Sequence, residues 1–333
     1  MKDIDALYIP EIREEIVKLG LKPFAASQIF HWIHQKQVRN FEKMSNLSKE
    51  NRELLSKSFF LSDLIVEKHQ RSKDGTEKFL FKLHDGNHIE TVLMDDEDRK
   101  TVCVSTQVGC PLGCCFCATG STKFARDLNA AEIIGQVEQM ARVNNVVFMG
   151  MGEPFLNYDN LMRAIRILNS KDGLNIGARK MTVSTAGIPD KIIRFGKEGL
   201  QVRLAVSLNA ANNELRSKLM PINEKYPINE LVHAIRQYNK ETGRRVTFEY
   251  VMLKKINDNL DDVEELAALC DRVKANVNLI QLNPHDKCAH EPSKPECVRA
   301  FKEALSEKGI ETVIRIRRGT DISAACGQLK GRP

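Results

Sequence analysis

One tryptophan and five tyrosines among 333 residues leave little aromatic surface for holding unstacked nucleobases. Any grip on a nucleic acid must therefore rest on charge and shape. No apolar run is long enough to span a bilayer, and the opening residues Met1-Lys2-Asp3-Ile4-Asp5 are charged from the second position, with no apolar signal core. Both absences argue against membrane insertion and export, and the expected location is the cytoplasm. Fixed-period repeats, low-complexity tracts and Pro/Gly/Ser linkers are also missing, which argues against solenoids and loosely tethered modules. Neither sign of charge dominates: 50 Lys and Arg stand against 44 Asp and Glu, a formal net charge of +6 that suits a polyanionic partner without naming one. With 42% hydrophobic residues, the chain can bury one large core carrying a smaller appendage.

Periodicity divides the chain into three. Residues 1–60 read as a small helical domain, with amphipathic helices over Glu11 to Leu19 and Ala25 to Gln37 and a third opened by Ser48 as N-cap and carrying Leu54 and Leu55. Residues 61–97 read as a short antiparallel meander. Apolar and polar residues alternate in Lys78-Phe79-Leu80-Phe81-Lys82-Leu83 and in His88-Ile89-Glu90-Thr91-Val92-Leu93, with Asp74-Gly75 and Asp85-Gly86 placed as turns. Over residues 98–333 a pattern of strand, loop and helix recurs, with strands expected near 101–106, 145–150, 180–185, 202–207, 245–253 and 276–282. Six such units predict an α/β fold whose parallel sheet is a partial (β/α)6 barrel, with ligands at the carboxyl ends of its strands.

Nine cysteines are present, and four of them crowd between Cys110 and Cys117, a spacing that favours metal ligation over a disulfide framework. Cys110, Cys114 and Cys117 follow the pattern Cys-x3-Cys-x2-Cys in a loop directly after the first barrel strand. Three thiolates can hold three irons of a [4Fe-4S] cluster. The fourth iron is then open to chelate the amino and carboxylate groups of S-adenosylmethionine (SAM) for one-electron chemistry. A zinc site is the competing reading, with Cys115 or Cys103 as fourth ligand; it would make the chain a non-catalytic, zinc-stabilised RNA-binding module. The three-cysteine spacing resembles that of the radical SAM superfamily, which leaves Cys115 a bystander. Gly150-Met151-Gly152-Glu153-Pro154 follows the apolar strand Val146 to Met149. Its glycines permit close backbone approach, and Glu153 can accept hydrogen bonds from an ammonium group. The segment is similar to the Gly-Glu-Pro motif with which radical SAM enzymes hold the methionyl amine. Ser184, Ser207, Leu208, Asn209 and Asn283 end later strands, and the same resemblance implies that they contact SAM; Asn209 stands where relatives often have His.

Cys103 in Thr101-Val102-Cys103-Val104-Ser105, the run to Gly109-Cys110, and the ending Ala324-Ala325-Cys326-Gly327-Gln328-Leu329 together resemble the RlmN/Cfr family of radical SAM RNA methyltransferases. The resemblance implies a [4Fe-4S] cluster and two molecules of SAM per turnover, one of which methylates Cys326. It implies that Cys103 attacks the adduct sulfur to form a disulfide with Cys326, and that Glu90 acts as general base. The implied substrate is carbon 2 of adenine in 23S ribosomal RNA, with transfer RNA as a second substrate and a flavodoxin or ferredoxin as electron donor. A Cfr-like attack on carbon 8 is the alternative within the family, against which stand Pro154 and Val108. Arg315, Arg317, Arg318, Lys330 and Arg332 flank Cys326 as candidate phosphate contacts, with Lys36, Arg39 and Lys43 as a second patch. Cys270 has core spacing, and His285, Cys288, His290 and Cys297 form only a loose metal-like group.

Overall fold

The computed structural model describes residues 1–96 and 98–332. The chain begins with strand β1 (Lys2–Asp3) and helices α1 (Ile9–Lys18), α2 (Ala25–His34) and α3 (Lys49–Ser58), after which β2 (Phe59–Phe60) pairs in parallel with β1. Helix α1 starts where Pro10 pre-sets the first turn and Glu11 Oε2 accepts the Tyr8 amide at 2.8 Å. Ser48 caps α3 as expected, its hydroxyl accepting the Asn51 amide at 3.2 Å. Helix α2 buries Ile29, Phe30 and Ile33, each worth roughly 1.5–3 kcal/mol. It stops before the expected Gln37, whose backbone is left-handed at φ 54°.

Strands β3 (Ile65–Arg71), β4 (Glu77–Lys82), β5 (His88–Asp96) and β6 (Arg99–Cys103) form an antiparallel meander. A separate ribbon of β7 (Gln107–Val108) and β8 (Arg126–Asp127) brackets the cysteine loop. The remaining strands are β9 (Asn145–Phe148), β10 (Met181–Thr185), β11 (Arg203–Ser207), β12 (Thr247–Met252), β13 (Asn276–Gln281) and β14 (Thr312–Ile314), and they run parallel to one another and to β6. The helices between them are α4 (Ala130–Glu138), α5 (Tyr158–Asn169), α6 (Pro189–Gly196), α7 (Asn213–Leu219), α8 (Ile222–Lys225), α9 (Ile228–Thr242), α10 (Leu260–Val273) and α11 (Pro295–Glu307).

All ten strands from β3 to β6 and β9 to β14 belong to one sheet, ordered β14-β13-β12-β11-β10-β9-β6-β5-β4-β3. Its two edges do not pair, so the barrel is partial, as expected. Among the described residues the parallel part holds seven strands, β6 and β9 to β14, where six were expected. The extra strand β14 is three residues long, too short to display a period.

After β14 the chain crosses back over the mouth of the barrel. Gly319 N donates to Asp74 Oδ2 at 2.8 Å, Ser72 Oγ to Asp321 Oδ1 at 2.6 Å and Thr119 Oγ1 to Leu329 O at 2.7 Å. The N-terminal helices dock through buried charge. His34 Nδ1 lies 2.8 Å from Glu138 Oε1, and Arg39 binds the other Glu138 oxygen and approaches Asp5 at 3.5 Å. Arg39 is thus engaged inside the fold, whereas Lys36 and Lys43 remain exposed. Among the described residues no helix is long and apolar enough to cross a membrane.

Candidate active site

Cys110, Cys114 and Cys117 line one open-mouthed cavity with about 960 Å³ of atom-free space, part of it open solvent. Their loop is pinned by its backbone: Cys115 N donates to Leu219 O at 3.1 Å and Ala118 N to Gly327 O at 2.7 Å. Phe116 joins Ala186, Leu219, Met220, Leu253 and Leu282 in a small apolar shell around the loop. Burial pushes the Cys110 thiol up to about 12 and holds Cys114 and Cys117 above the ordinary thiol range, and the neighbouring sulfurs add to the rise at Cys110 and Cys114. Thiols this dry stay protonated until a cation binds them. Among the described residues no three His, Cys, Asp or Glu side chains could hold a metal ion. A cubane takes each thiolate on a different iron, so three free cysteines spread over one cavity wall fit a cluster better than a lone zinc.

The ends of β9 and β10 complete this cavity. Gly152 has φ 100°, and a Cβ there would lie 2.5 Å from Gln107 Cβ, so no other residue fits. Gln107 Oε1 in turn accepts the Glu153 amide at 2.8 Å. Glu153 is buried, which raises its pKa. Its Oε1 accepts from Thr185 Oγ1 at 2.7 Å and from Phe155 N at 3.0 Å, and its Oε2 accepts from Ala186 N at 2.7 Å. The carboxylate therefore clamps two strand ends together as well as facing the cavity. Ser184 and Ser207 hydroxyls lie 3.4 Å apart on adjacent strands. Asn209 adopts φ 61°, a left-handed backbone that Asn tolerates better than most residues, while its Oδ1 accepts Val251 N at 2.9 Å. These residues and Asn283 line the cavity with the cysteines. Leu208 does not: its side chain is in the core, and its backbone bonds Glu249 and Arg216 behind the wall.

A second chamber, with about 830 Å³ of atom-free space including its open mouth, adjoins the first and is lined by Cys103, Val92, Met94 and the segment Arg315 to Arg318. Cys326, Asn283, Arg315 and Cys117 line both chambers. Cys326 therefore stands on the partition, open to the cavity, with its carbonyl held by Asn283 Nδ2 at 3.1 Å. Burial pushes Cys103 up to about 12 and raises Cys326, where Arg315 opposes the rise. All nine cysteines are free thiols.

Arg315, whose position in the sequence suggested a phosphate contact, faces this partition, 3.5 Å from Glu249 Oε2. Glu249 was not singled out in the sequence, although a carboxylate inside an otherwise apolar strand was a usable signal. Arg317 donates to Asn283 Oδ1 at 2.7 Å, Arg318 pairs with Asp96, and Lys330 donates to Asp286 Oδ2 at 2.5 Å, while Arg332 is exposed.

Glu90 lies on the same face of β5 as Val92 and Met94 but lines neither chamber. Its Oε1 is 3.0 Å from Lys78 Nζ, and its Oε2 accepts from Lys330 N at 2.5 Å and Gly331 N at 3.0 Å. The C-terminal segment covers it. Cys115 is less isolated than its spacing implied, with Sγ 3.2 Å from His290 Nε2 and Cys288 close by.

Comparisons with known proteins give the family and the fold. Residues 104–270 match the Radical SAM superfamily, and residues 5–61 match the Ribosomal RNA large subunit methyltransferase N-terminal domain. A probable dual-specificity RNA methyltransferase RlmN from Thermotoga maritima is 48% identical over 336 residues, covering 99% of this chain and 98% of the relative. Its namesake from Geobacillus kaustophilus is 47% identical, covering 100% and 93% respectively. A radical SAM methyltransferase from Sphaerobacter thermophilus superposes with a TM-score of 0.96 at 44% identity over 100% of both chains. Radical SAM proteins use a [4Fe-4S] cluster and SAM, and an RlmN methyltransferase uses a second SAM as methyl donor. The chain belongs to the RlmN family of radical SAM methyltransferases, enzymes that act on RNA.

Proposed function

We propose that this enzyme methylates carbon 2 of adenine in 23S ribosomal RNA and in transfer RNA, with Cys326 carrying the methyl group as a thioether. The observation that carries the reading is the position of Cys326 on the wall common to two chambers, one lined by the three-cysteine loop and the other by Cys103. Carbon 2 lies between two ring nitrogens and is too electron-poor to attack a sulfonium methyl, so the methyl carbon has to be activated first. When bound, the cluster and SAM supply the methyl group and the one-electron chemistry that activates it.

In this reading Cys110, Cys114 and Cys117 hold the cluster. Gly152, Glu153, Ser184, Ser207, Asn209 and Asn283 hold SAM, and Leu208, bonded to Glu249 and Arg216, supports Ser207 and Asn209 from behind the wall. Cys326 presents its S-bound carbon to the ring, and Glu90 takes the ring proton once the amides of Lys330 and Gly331 leave its Oε2. Lys78 Nζ, 3.0 Å from the other oxygen, orients the carboxylate. Cys103, as its thiolate, then attacks the Cys326 sulfur and breaks the bond from that sulfur to the methylene carbon, which takes up a proton as the methylated base leaves, and the resulting disulfide must be reduced before the next turnover. A flavodoxin or ferredoxin supplies the electrons for the radical step, and residues 1–60 recognise RNA.

Cys326→Ala is expected to keep iron and SAM binding while abolishing methylation, and the intact mass of the purified wild-type chain should show one extra methyl group on Cys326. Turnover by Cys326→Ala would end the carrier assignment. Nucleoside analysis of the reacted RNA reads the position, and 8-methyladenosine in place of 2-methyladenosine would move the attack to carbon 8.

A further inference from the structure

Arg216 on α7 is fully buried, and among the described residues its guanidinium bonds to no carboxylate. Nε donates to Leu208 O at 3.2 Å, Nη1 to Asn223 Oδ1 at 2.9 Å, and Nη2 to Ala186 O at 2.6 Å and Ser207 O at 3.3 Å. All four acceptors are neutral. A full positive charge taken out of water without an anion is strongly unfavourable, so the fold has a use for it or an anion is still to arrive. Burial pulls the Arg216 pKa down to about 10, and the group opposing that fall is Cys114.

The link to the cysteine loop is also mechanical. Leu219, three residues along α7, accepts the Cys115 amide at 3.1 Å, and it packs in the apolar shell around Phe116. Arg216 itself does not line the cavity, so it acts from behind the wall.

We propose that Arg216 is the counter-charge of the iron–sulfur cluster, favouring its reduced state while its fork fixes the SAM-facing ends of β10 and β11. This rests on the cluster being seated on Cys110, Cys114 and Cys117. Three thiolates leave a cubane negatively charged, and reduction adds one more negative charge in a dry site. A fixed cation nearby then favours the reduced form, as cluster potentials follow local charge, hydrogen bonding and burial. Arg216 is a positioning and charge-compensating residue and touches no reacting atom.

The test is a potentiometric titration of the cluster followed by electron paramagnetic resonance, on the full chain reconstituted with iron and sulfide and without SAM. Arg216→Met should lower the one-electron reduction constant about tenfold, a potential about 59 mV more negative. Arg216→Lys keeps the charge and should titrate near wild type, while binding SAM more weakly because the fork's bonds are lost. Asn223→Asp leaves the arginine in place but sets a carboxylate against it, and should shift the potential in the same direction as Arg216→Met. Should Arg216→Met fail to hold iron, Asn223→Asp decides alone. Wild-type potentials in iron-loaded Arg216→Met and Asn223→Asp would overturn the proposal. Retention of the cluster by Cys114→Ala would instead overturn the ligand assignment beneath it.

Discussion

The two chambers that meet at Cys326 are built on different principles. The cysteine-lined chamber rests on strand ends whose polar groups are bonded to one another: Glu153 accepts three protein hydrogen bonds, and Arg216 donates four from behind the wall. The chamber lined by Cys103 takes more of its wall from the C-terminal segment, which lies outside the sheet and is held to the meander through side-chain acceptors, as in Gly319 to Asp74 and Lys330 to Glu90. Polar groups bonded to one another across strand ends resist local opening, whereas a segment outside the strand ladder opens more readily than the sheet it covers. Small-molecule binding suits the first construction. Admission of an RNA base to a covered carboxylate suits the second.

The sharpest way to break this contrast is to remove one cysteine from each side. Cys114→Ala should abolish iron binding, with loss of the brown colour and of all activity, because two thiolates do not seat the cluster. Cys103→Ser should keep the full iron content and SAM cleavage but stall after a single turnover, with a protein–RNA adduct visible on a denaturing gel. Loss of iron from Cys103→Ser, or free multiple turnover, would erase the proposed division of labour.

The difference between the chambers also explains what could be read from the sequence. The cysteine loop was legible because its three sulfurs fall within eight residues, and the strand ends were legible because each follows an apolar run. The strand β14 was not, being too short for a pattern. Charge patches misled for a related reason. Arg39 and Arg315 look like free cations in sequence, but their carboxylate partners Glu138 and Glu249 come from distant segments, the first of them 99 residues away. Arg216 gave no signal, since one arginine in a short polar helix does not announce that it is buried. Leu208 reads as a cavity residue on the strength of its neighbours, whereas its side chain is in the core and its backbone bonds Glu249 and Arg216.

A smaller effect is expected from Glu153→Gln. The carboxylate accepts from three donors, and an amide must turn its own N–H₂ toward at least one of them. One buried donor left unpaired costs about 1–3 kcal/mol, a fall in Tm of the order of 5 °C. Calorimetry should therefore register this substitution even without SAM. An unchanged Tm would mean that the clamp between β9 and β10 contributes nothing to the rigidity assigned to this chamber.

The least disruptive probe acts on the C-terminal segment through Asp74. Although partial burial works the other way, the amides of Gly319 and Thr76 hold the Asp74 carboxyl down at about 2, below its ordinary value of 3.8. A group whose folded pKa is depressed contributes stability that is present above the ordinary value and is lost as pH falls through the folded one. Acidification from about pH 4 to pH 2 should therefore loosen the segment, with Gly319 losing hydrogen-exchange protection before the strands of the parallel sheet do. Asp74→Asn should show a several-fold loss of protection at Gly319 already at neutral pH and no further dependence over that acid window, with iron content unchanged. If Gly319 in the variant stayed as protected as in wild type, the covering segment would be anchored elsewhere, and the second chamber would be as rigid as the first.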